Sequence, residues 1–205
     1  MSRDRYLDPY RASASRHGPS FEATLWANER AQQLRFRVFA DMCDLTAKRI
    51  LDAGCSRGDF AAYLLDRNVA FESYTGVDAL DEVIEFAAAR NLARCRFLAG
   101  DFLTDPSLLE LDNPQVICIS GSLNTMTDRQ VRTVLDAAWQ AAGETLLFNF
   151  LPNLATRRAP AQFGPARRLD ALALIKWATT QTGAVHYRQD YFNQGHDATI
   201  MMQKR

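Results

Sequence analysis

Histidine and cysteine are scarce in this chain, and neither forms a pattern. Among 205 residues there are three histidines (His17, His186, His196) and four cysteines (Cys43, Cys55, Cys95, Cys118). No two cysteines form a CxxC pair, and the histidines lack metal-ligand spacing. A disulfide scaffold and a zinc cluster are therefore not expected, and no metal is assigned. The same cysteine usage fits a reducing, cytoplasmic setting. Charge of either sign is not in surplus. Lys+Arg total 24 and Asp+Glu total 24, so a general nucleic-acid binder is not expected. No apolar run approaches the roughly 18 residues of a membrane span. The first twenty residues also lack the apolar stretch of a signal peptide.

Charge is balanced overall but divided along the chain. Residues 1–50 carry 9 basic and 6 acidic side chains, and residues 51–111 carry 5 and 11. Residues 150–205 carry 8 and 3. Solvated helix faces account for this in the plain reading. In the sharper one, an acidic first half suits a cationic ligand, with basic material near its mouth.

Residues 1–20 are polar, contain Pro9, Gly18 and Pro19, and read as an irregular arm. Ser20 is a candidate cap for a helix over 21–42. A regular alternation follows. Short apolar strands are expected over 49–53, 74–77, 95–99, 116–119 and 145–150, with helices over 60–65, 81–90 and 129–142 between them. A loop over 153–169 precedes a helix over 170–182. Strand-like runs over 184–192 and 198–203 flank a turn. Strands alternating with helices of this length predict a doubly wound α/β protein with a mostly parallel sheet, closed by an antiparallel hairpin.

In such sheets ligands bind at the carboxyl ends of the strands. Distinctive residues stand there: Asp52-Ala53-Gly54-Cys55-Ser56-Arg57-Gly58-Asp59, then Asp78, then Gly100-Asp101-Phe102. A dinucleotide site asks for G-x-G-x-x-G with a diphosphate at the helix start. Here the spacing is G-x-S-x-G, and Asp59 takes the place of the last glycine, where a carboxylate would repel a diphosphate. The cationic sulfonium and ammonium of S-adenosyl-L-methionine suit the acidic surroundings better.

Leu51-Asp52-Ala53-Gly54-Cys55-Ser56-Arg57-Gly58, Tyr74-Thr75-Gly76-Val77-Asp78 and Phe97-Leu98-Ala99-Gly100-Asp101-Phe102 together resemble the class I S-adenosylmethionine-dependent methyltransferases. The resemblance runs from about residue 48 to the C-terminus and implies a Rossmann-like seven-stranded sheet with one reversed strand. It implies that Gly54, Ser56 and Gly58 line the methionine moiety, with Asp52 on its ammonium. It places Asp78 on the ribose, Ala79 and Leu80 beside the adenine, Asp101 on the adenine amino group and Phe102 on its ring. Ser56 departs from the family's usual middle glycine. Trp26-Ala27-Asn28-Glu29-Arg30-Ala31-Gln32-Gln33-Leu34-Arg35-Phe36 resembles a W-x-S/N-(x3)-Q-x-x-R-F pattern of uncharacterised bacterial methyltransferases of small molecules. It implies an N-terminal arm and helical lid over 1–44 on a cofactor domain over 45–205, with Trp26 and Arg35 reaching the cofactor.

After the fourth strand, Ser120 and Asn124 are the substrate-facing candidates. The N/D-P-P-Y tetrapeptide of amino-methylating enzymes on nucleic acids is absent. His186 and His196 could be bases, although lone histidines are more often structural, and no catalytic residue is assigned. Arg157, Arg158, Arg167 and Arg168 could meet an anionic acceptor or be solvated. The function expected is transfer of a methyl group to a small-molecule acceptor, without nucleic acid or membrane as partner. A cofactor-binding protein without catalysis and an NAD(P)-linked oxidoreductase are the alternatives. The acceptor and the oligomeric state are not read from these residues.

Overall fold

A computed structural model describes residues 5–204. Seven strands form one sheet: β1 (Arg49–Ala53), β2 (Ser73–Asp78), β3 (Cys95–Ala99), β4 (Val116–Ile119), β5 (Thr145–Phe150), β6 (Val185–Arg188) and β7 (Ala198–Gln203). The order is β3-β2-β1-β4-β5-β7-β6. The first five strands are parallel, and β7 runs antiparallel between β5 and β6. Central strands β4 and β5 are buried at every position, as expected of a sheet covered on both faces.

Helices α1 (Asp8–His17), α2 (Glu29–Met42), α3 (Asp59–Asp66), α4 (Asp81–Ala89), α5 (Asp128–Ala141) and α6 (Ala171–Gln181) surround the sheet. Alternation along β1 divides the core. Leu51 packs with residues of β4, α5 and α6, including Ile117, Leu135 and Trp177. Ile50 packs on the other face with Phe39, Phe60 and Tyr74. The start of α5 is a capping box: Thr127 accepts from Gln130 N–H, and the Gln130 side chain returns to the Thr127 N–H. The helix thus begins at Asp128, one residue before the start expected from sequence.

The N-terminal region differs from the irregular arm and single long helix expected. Residues 1–4 of that arm lie outside the described residues. From Arg5 onward it forms a 3-10 turn and then α1. Tyr6, Leu7 and Ala14 are buried, and Pro9 falls in the first turn, where its missing N–H costs nothing. A second 3-10 turn covers Phe21–Thr24, and the chain breaks at Leu25, whose φ is 57°. The cap of α2 is Asn28, which accepts from Ala31 N–H at 2.8 Å, not Ser20. Within the segment 1–44, expected as a lid, the two halves of α2 differ. Phe36, Val38 and Phe39 of α2 are fully or almost fully buried, and Phe36 and Phe39 lie 5.0 and 5.9 Å from the Phe60 ring of α3. The second half of α2 is therefore core, because its aromatic face covers one side of the sheet.

Phe39→Ala should lower the unfolding free energy by about 3–5 kcal/mol, the usual cost of emptying a buried aromatic site. Urea unfolding measures this. A loss below about 1 kcal/mol would show that α2 rests on the domain without contributing to its core.

Candidate functional site

The strand order reverses between β1 and β4, so the loops that leave them part at the carboxyl edge and open a crevice. A cavity of about 620 Å³ lies there, within the range of small-molecule sites. Its wall follows the sheet edge in order: Asp78 at the end of β2, Gly54 and Ser56 after β1, Ser120 after β4, Leu151 after β5 and His196 before β7. Four strand spacings separate the two ends of that series, or roughly 19 Å. Tyr6, Tyr10, Trp26 and Arg35 from the N-terminal segment complete the wall.

The floor under Asp78 is built from backbone. Gly54 and Cys55 N–H donate to the Val77 carbonyl at 2.8 and 3.1 Å. Ser56 has φ 47°, a left-handed conformation that a glycine would adopt more easily. That turn aims the Ser56 N–H at Asp78 Oδ2 at 2.9 Å, and Leu80 N–H donates to Oδ1 at 3.1 Å. Burial pushes the Asp78 carboxyl up to about 6, against the opposing pull of these N–H groups. Each oxygen keeps a lone pair for a further donor.

The roof is tied to the body at three places. The Tyr6 hydroxyl donates to Asp101 Oδ1. The Trp26 ring fills the space beside Gly121, where a Cβ would come within 2.6 Å of it. Arg35 donates from Nε to Asp197 Oδ2 at 2.6 Å, and both side chains are almost fully buried. The Arg35 guanidinium lies 4.2 Å from the Trp26 ring centre and 5.0 Å from that of Phe192. Tyr191 donates its hydroxyl to the other Asp197 oxygen at 2.5 Å.

Of the residues singled out from sequence, Gly54, Ser56, Asp78, Ala79, Leu80, Phe102, Trp26, Arg35, Ser120 and Asn124 line this cavity. Asp52, Gly58 and Asp101 do not. The Asp52 carboxyl turns to the α3 face and accepts from the Tyr74 hydroxyl. Its other oxygen is buried without a partner, and burial pushes the group up to about 7. Gly58 faces Phe97, whose ring a Cβ would meet at 2.7 Å, so its small size serves helix–strand packing. Asp101 is turned toward Tyr6. Asn124 is occupied: it donates to the Gly121 carbonyl at 3.3 Å and accepts from Leu151 N–H at 3.0 Å.

The charge ascribed to Asp59 also lies elsewhere. Its carboxylate pairs with Arg90 at 2.8 Å and lines a separate polar groove with Arg57 and Arg67. Arg167 and Arg168 are spent on the carbonyls of Met126, Pro152 and Pro160, and Arg157 and Arg158 lie outside the cavity wall. No group of three or more His, Cys, Asp or Glu suited to a metal occurs among the described residues.

Residues 50–143 match the protein family described as a methyltransferase domain. The seven-stranded sheet has the Rossmann-like fold of the class I methyltransferases. No curated protein matches the whole sequence significantly. Among solved structures, a complex of DhpI with SAM and HEP is 14% identical with a TM-score of 0.70, covering 97% of this chain and 95% of that one. Magnesium protoporphyrin IX methyltransferase from Synechocystis PCC 6803, with bound SAH, is 13% identical at 0.65, with 99% and 98% covered. Phosphoethanolamine N-methyltransferase 1 of Haemonchus contortus is 15% identical at 0.72, and the match takes in 99% of this chain but half of that one. At these identities the likeness is one of fold.

Around the cavity and its roof, sequence reasoning missed Tyr6 and Asn149. Asn149 is buried, donates to Ser120 Oγ at 3.1 Å and accepts from Gly121 N–H at 2.9 Å. The signal for it was a lone amide inside the apolar run of β5. For Tyr6 it was the i, i+1, i+4, i+8 spacing of Tyr6, Leu7, Tyr10 and Ala14.

Asp52 supplies a pH test of this layout. Its folded pKa lies above the unfolded value near 3.8, so its proton stabilises the fold. That contribution is complete below the unfolded value and lost as pH rises through about 7. The stability of Asp52→Asn relative to the wild type should rise by about 1.4 kcal/mol per pH unit across this window and level off above it. Urea unfolding over a pH series checks this, and a difference independent of pH would mean that Asp52 is ionised throughout.

Proposed function

We propose that this protein binds S-adenosyl-L-methionine and transfers its methyl group to a small-molecule acceptor by direct displacement. The observation that carries the reading is Asp78. Its carboxylate stands at the end of β2, held by Ser56 and Leu80 N–H, with lone pairs left for the two hydroxyls of a ribose. Ala79, Leu80 and Phe102 form an adjoining apolar wall for an adenine, and Gly54, with φ 84°, brings bare backbone to the wall for the methionine moiety. Trp26 and Arg35 close the site from above, with Arg35 acting through its pair with Asp197.

The bound cofactor supplies the activated carbon, so the protein's task is alignment and exclusion of water. The same wall suits a dinucleotide less well. Neither Gly58 nor Asp59 lines the cavity, so the start of α3 does not face it, and that is where a diphosphate would gain from the helix dipole. Arg35, the arginine of the wall, is already neutralised by Asp197.

Calorimetry with S-adenosylhomocysteine and with NAD tests the reading. S-adenosylhomocysteine should bind and NAD should not. Asp78→Ala should weaken S-adenosylhomocysteine by about 1.5–3 kcal/mol, as expected of hydrogen bonds to a charged group. Because the free carboxyl titrates at about 6, wild-type affinity should fall roughly tenfold per pH unit below that value, as a proton must then leave before the hydroxyls can donate. Asp78→Ala should abolish this dependence. Tight NAD binding without S-adenosylhomocysteine binding would sink the proposal.

A further inference from the structure

The part of the cavity beyond the proposed cofactor wall has its own chemistry. Its walls are Trp26, Leu151, Phe163, Pro165, Phe192 and His196. They are rings and apolar groups with one titratable side chain among them. Phe163 is 79% exposed, an unusual place for a phenylalanine, and it stands where an entering flat molecule would cover it. His196 packs on the Phe192 ring with centroids 4.4 Å apart, and its Nδ1 is buried without a hydrogen-bond partner.

Charge narrows the class of molecule that fits. The positive charge at this end is the Arg35 guanidinium, which lies against the rings of Trp26 and Phe192. An ammonium-bearing acceptor would find the ring faces of Trp26 and Phe192 taken by that guanidinium and the adjoining carboxylate, Asp197, already paired with it. A carboxylate or phosphate acceptor would need an uncommitted cation, but Asp197 neutralises Arg35 and Arg168 is bound to two carbonyls. A neutral acceptor remains. A neutral hydroxyl is a poor nucleophile until it loses its proton, so the site needs a base. His196 is the titratable group facing it. The charged groups acting on His196 are Arg35 of α2 and Arg168 of the loop before α6, and Asp197, next to it in the chain, is paired with Arg35. Burial, Arg35 and Arg168 all hold the imidazole below its ordinary value, which keeps it neutral near physiological pH.

Resting on the methyltransferase reading above, we propose that the acceptor is a flat, neutral compound bearing a phenol-type hydroxyl, and that His196 is the base that takes its proton. As the O–H bond breaks, the proton passes to a ring nitrogen of His196. The acceptor oxygen forms a bond to the methyl carbon while the C–S bond breaks, and its electron pair stays on sulfur. The sulfonium charge is thereby lost and an imidazolium charge gained, which solvent discharges after product leaves. An aryl hydroxyl is both the stronger acid and the flatter partner for the ring-lined wall, so it suits the imidazole and the wall better than an aliphatic alcohol does.

The test uses the full chain with S-adenosylmethionine, 2-naphthol and 4-nitrophenol as phenolic probes, and benzoate and ethanolamine as charged ones. The wild type should bind 2-naphthol in the presence of S-adenosylhomocysteine and methylate it, leaving the charged probes untouched. His196→Gln should bind S-adenosylhomocysteine and 2-naphthol as the wild type does. Its transfer to 2-naphthol should fall about 100-fold or more, but transfer to 4-nitrophenol, a stronger acid that needs less help to lose its proton, by less than about tenfold. Equal losses for both phenols, or no loss for either, would overturn His196 as the base. S-adenosylhomocysteine binding with no turnover of either phenol, or with turnover of a charged probe alone, would overturn the acceptor class. Absence of S-adenosylhomocysteine binding would overturn the methyltransferase reading and this inference with it.

Discussion

Strand β1 pairs in parallel with β2 along one side and with β4 along the other. A right-handed crossover from β1 to β2 places its helix on one face, and the later crossovers from β4 onward place theirs on the opposite face. The side chains follow this: α3 joins the cluster around Phe60 and Tyr74, while α5 and α6 join the cluster around Leu51 and Ile117. The loops leaving β1 and β4 are pulled apart, and the crevice between them cannot be filled by either connection. The position of the cavity, its floor of backbone N–H groups and the order of residues along its wall all derive from that one reversal.

The buried pair of Arg35 and Asp197 does for the roof what the reversal does for the floor. Burying two charges costs several kcal/mol per ion before their attraction is counted, so the pair holds only because further groups support it. Tyr191 donates to the free oxygen of Asp197, the Ala31 carbonyl accepts from Arg35 at 3.0 Å, and the rings of Trp26 and Phe192 lie against the guanidinium. Together these anchor α2 to the start of β7, across 162 positions of sequence. The arginine is thereby turned from a free cation into a fixed part of the wall, leaving Asp78 as the unbalanced charge at one end and a nearly neutral, ring-lined space at the other.

The strands were legible because each is a short apolar run bounded by turn residues. The predicted limits of β1, β3, β4, β5 and β7 coincide with the observed ones. The strand-end positions of Gly54, Ser56, Asp78 and Phe102 were legible for the same reason, since a parallel sheet presents its carboxyl ends along one edge. The roof was harder to read. Tyr6, Leu7 and Ala14 form too short an apolar stripe to stand out from a polar arm, and the break at Leu25 depends on a left-handed residue that is not glycine. The direction of Asp52 was readable in principle, because it shares parity with Ile50.

Local sequence determined the alternation of elements, the doubly wound class and the backbone turn that holds Asp78, since these rest on hydrophobic period and on contacts a few tens of residues apart at most. Tertiary structure alone decided which polar side chains were left available. Asp101 was taken by Tyr6, Asp59 by Arg90 and Arg35 by Asp197, each a pairing between segments that meet only after the sheet has formed. His196 came to the cavity because β7 inserts antiparallel beside β5, which brings its first residues to the edge where the parallel strands end. A charge written in a sequence carries no record of its partner, and burial forces every such group to find one.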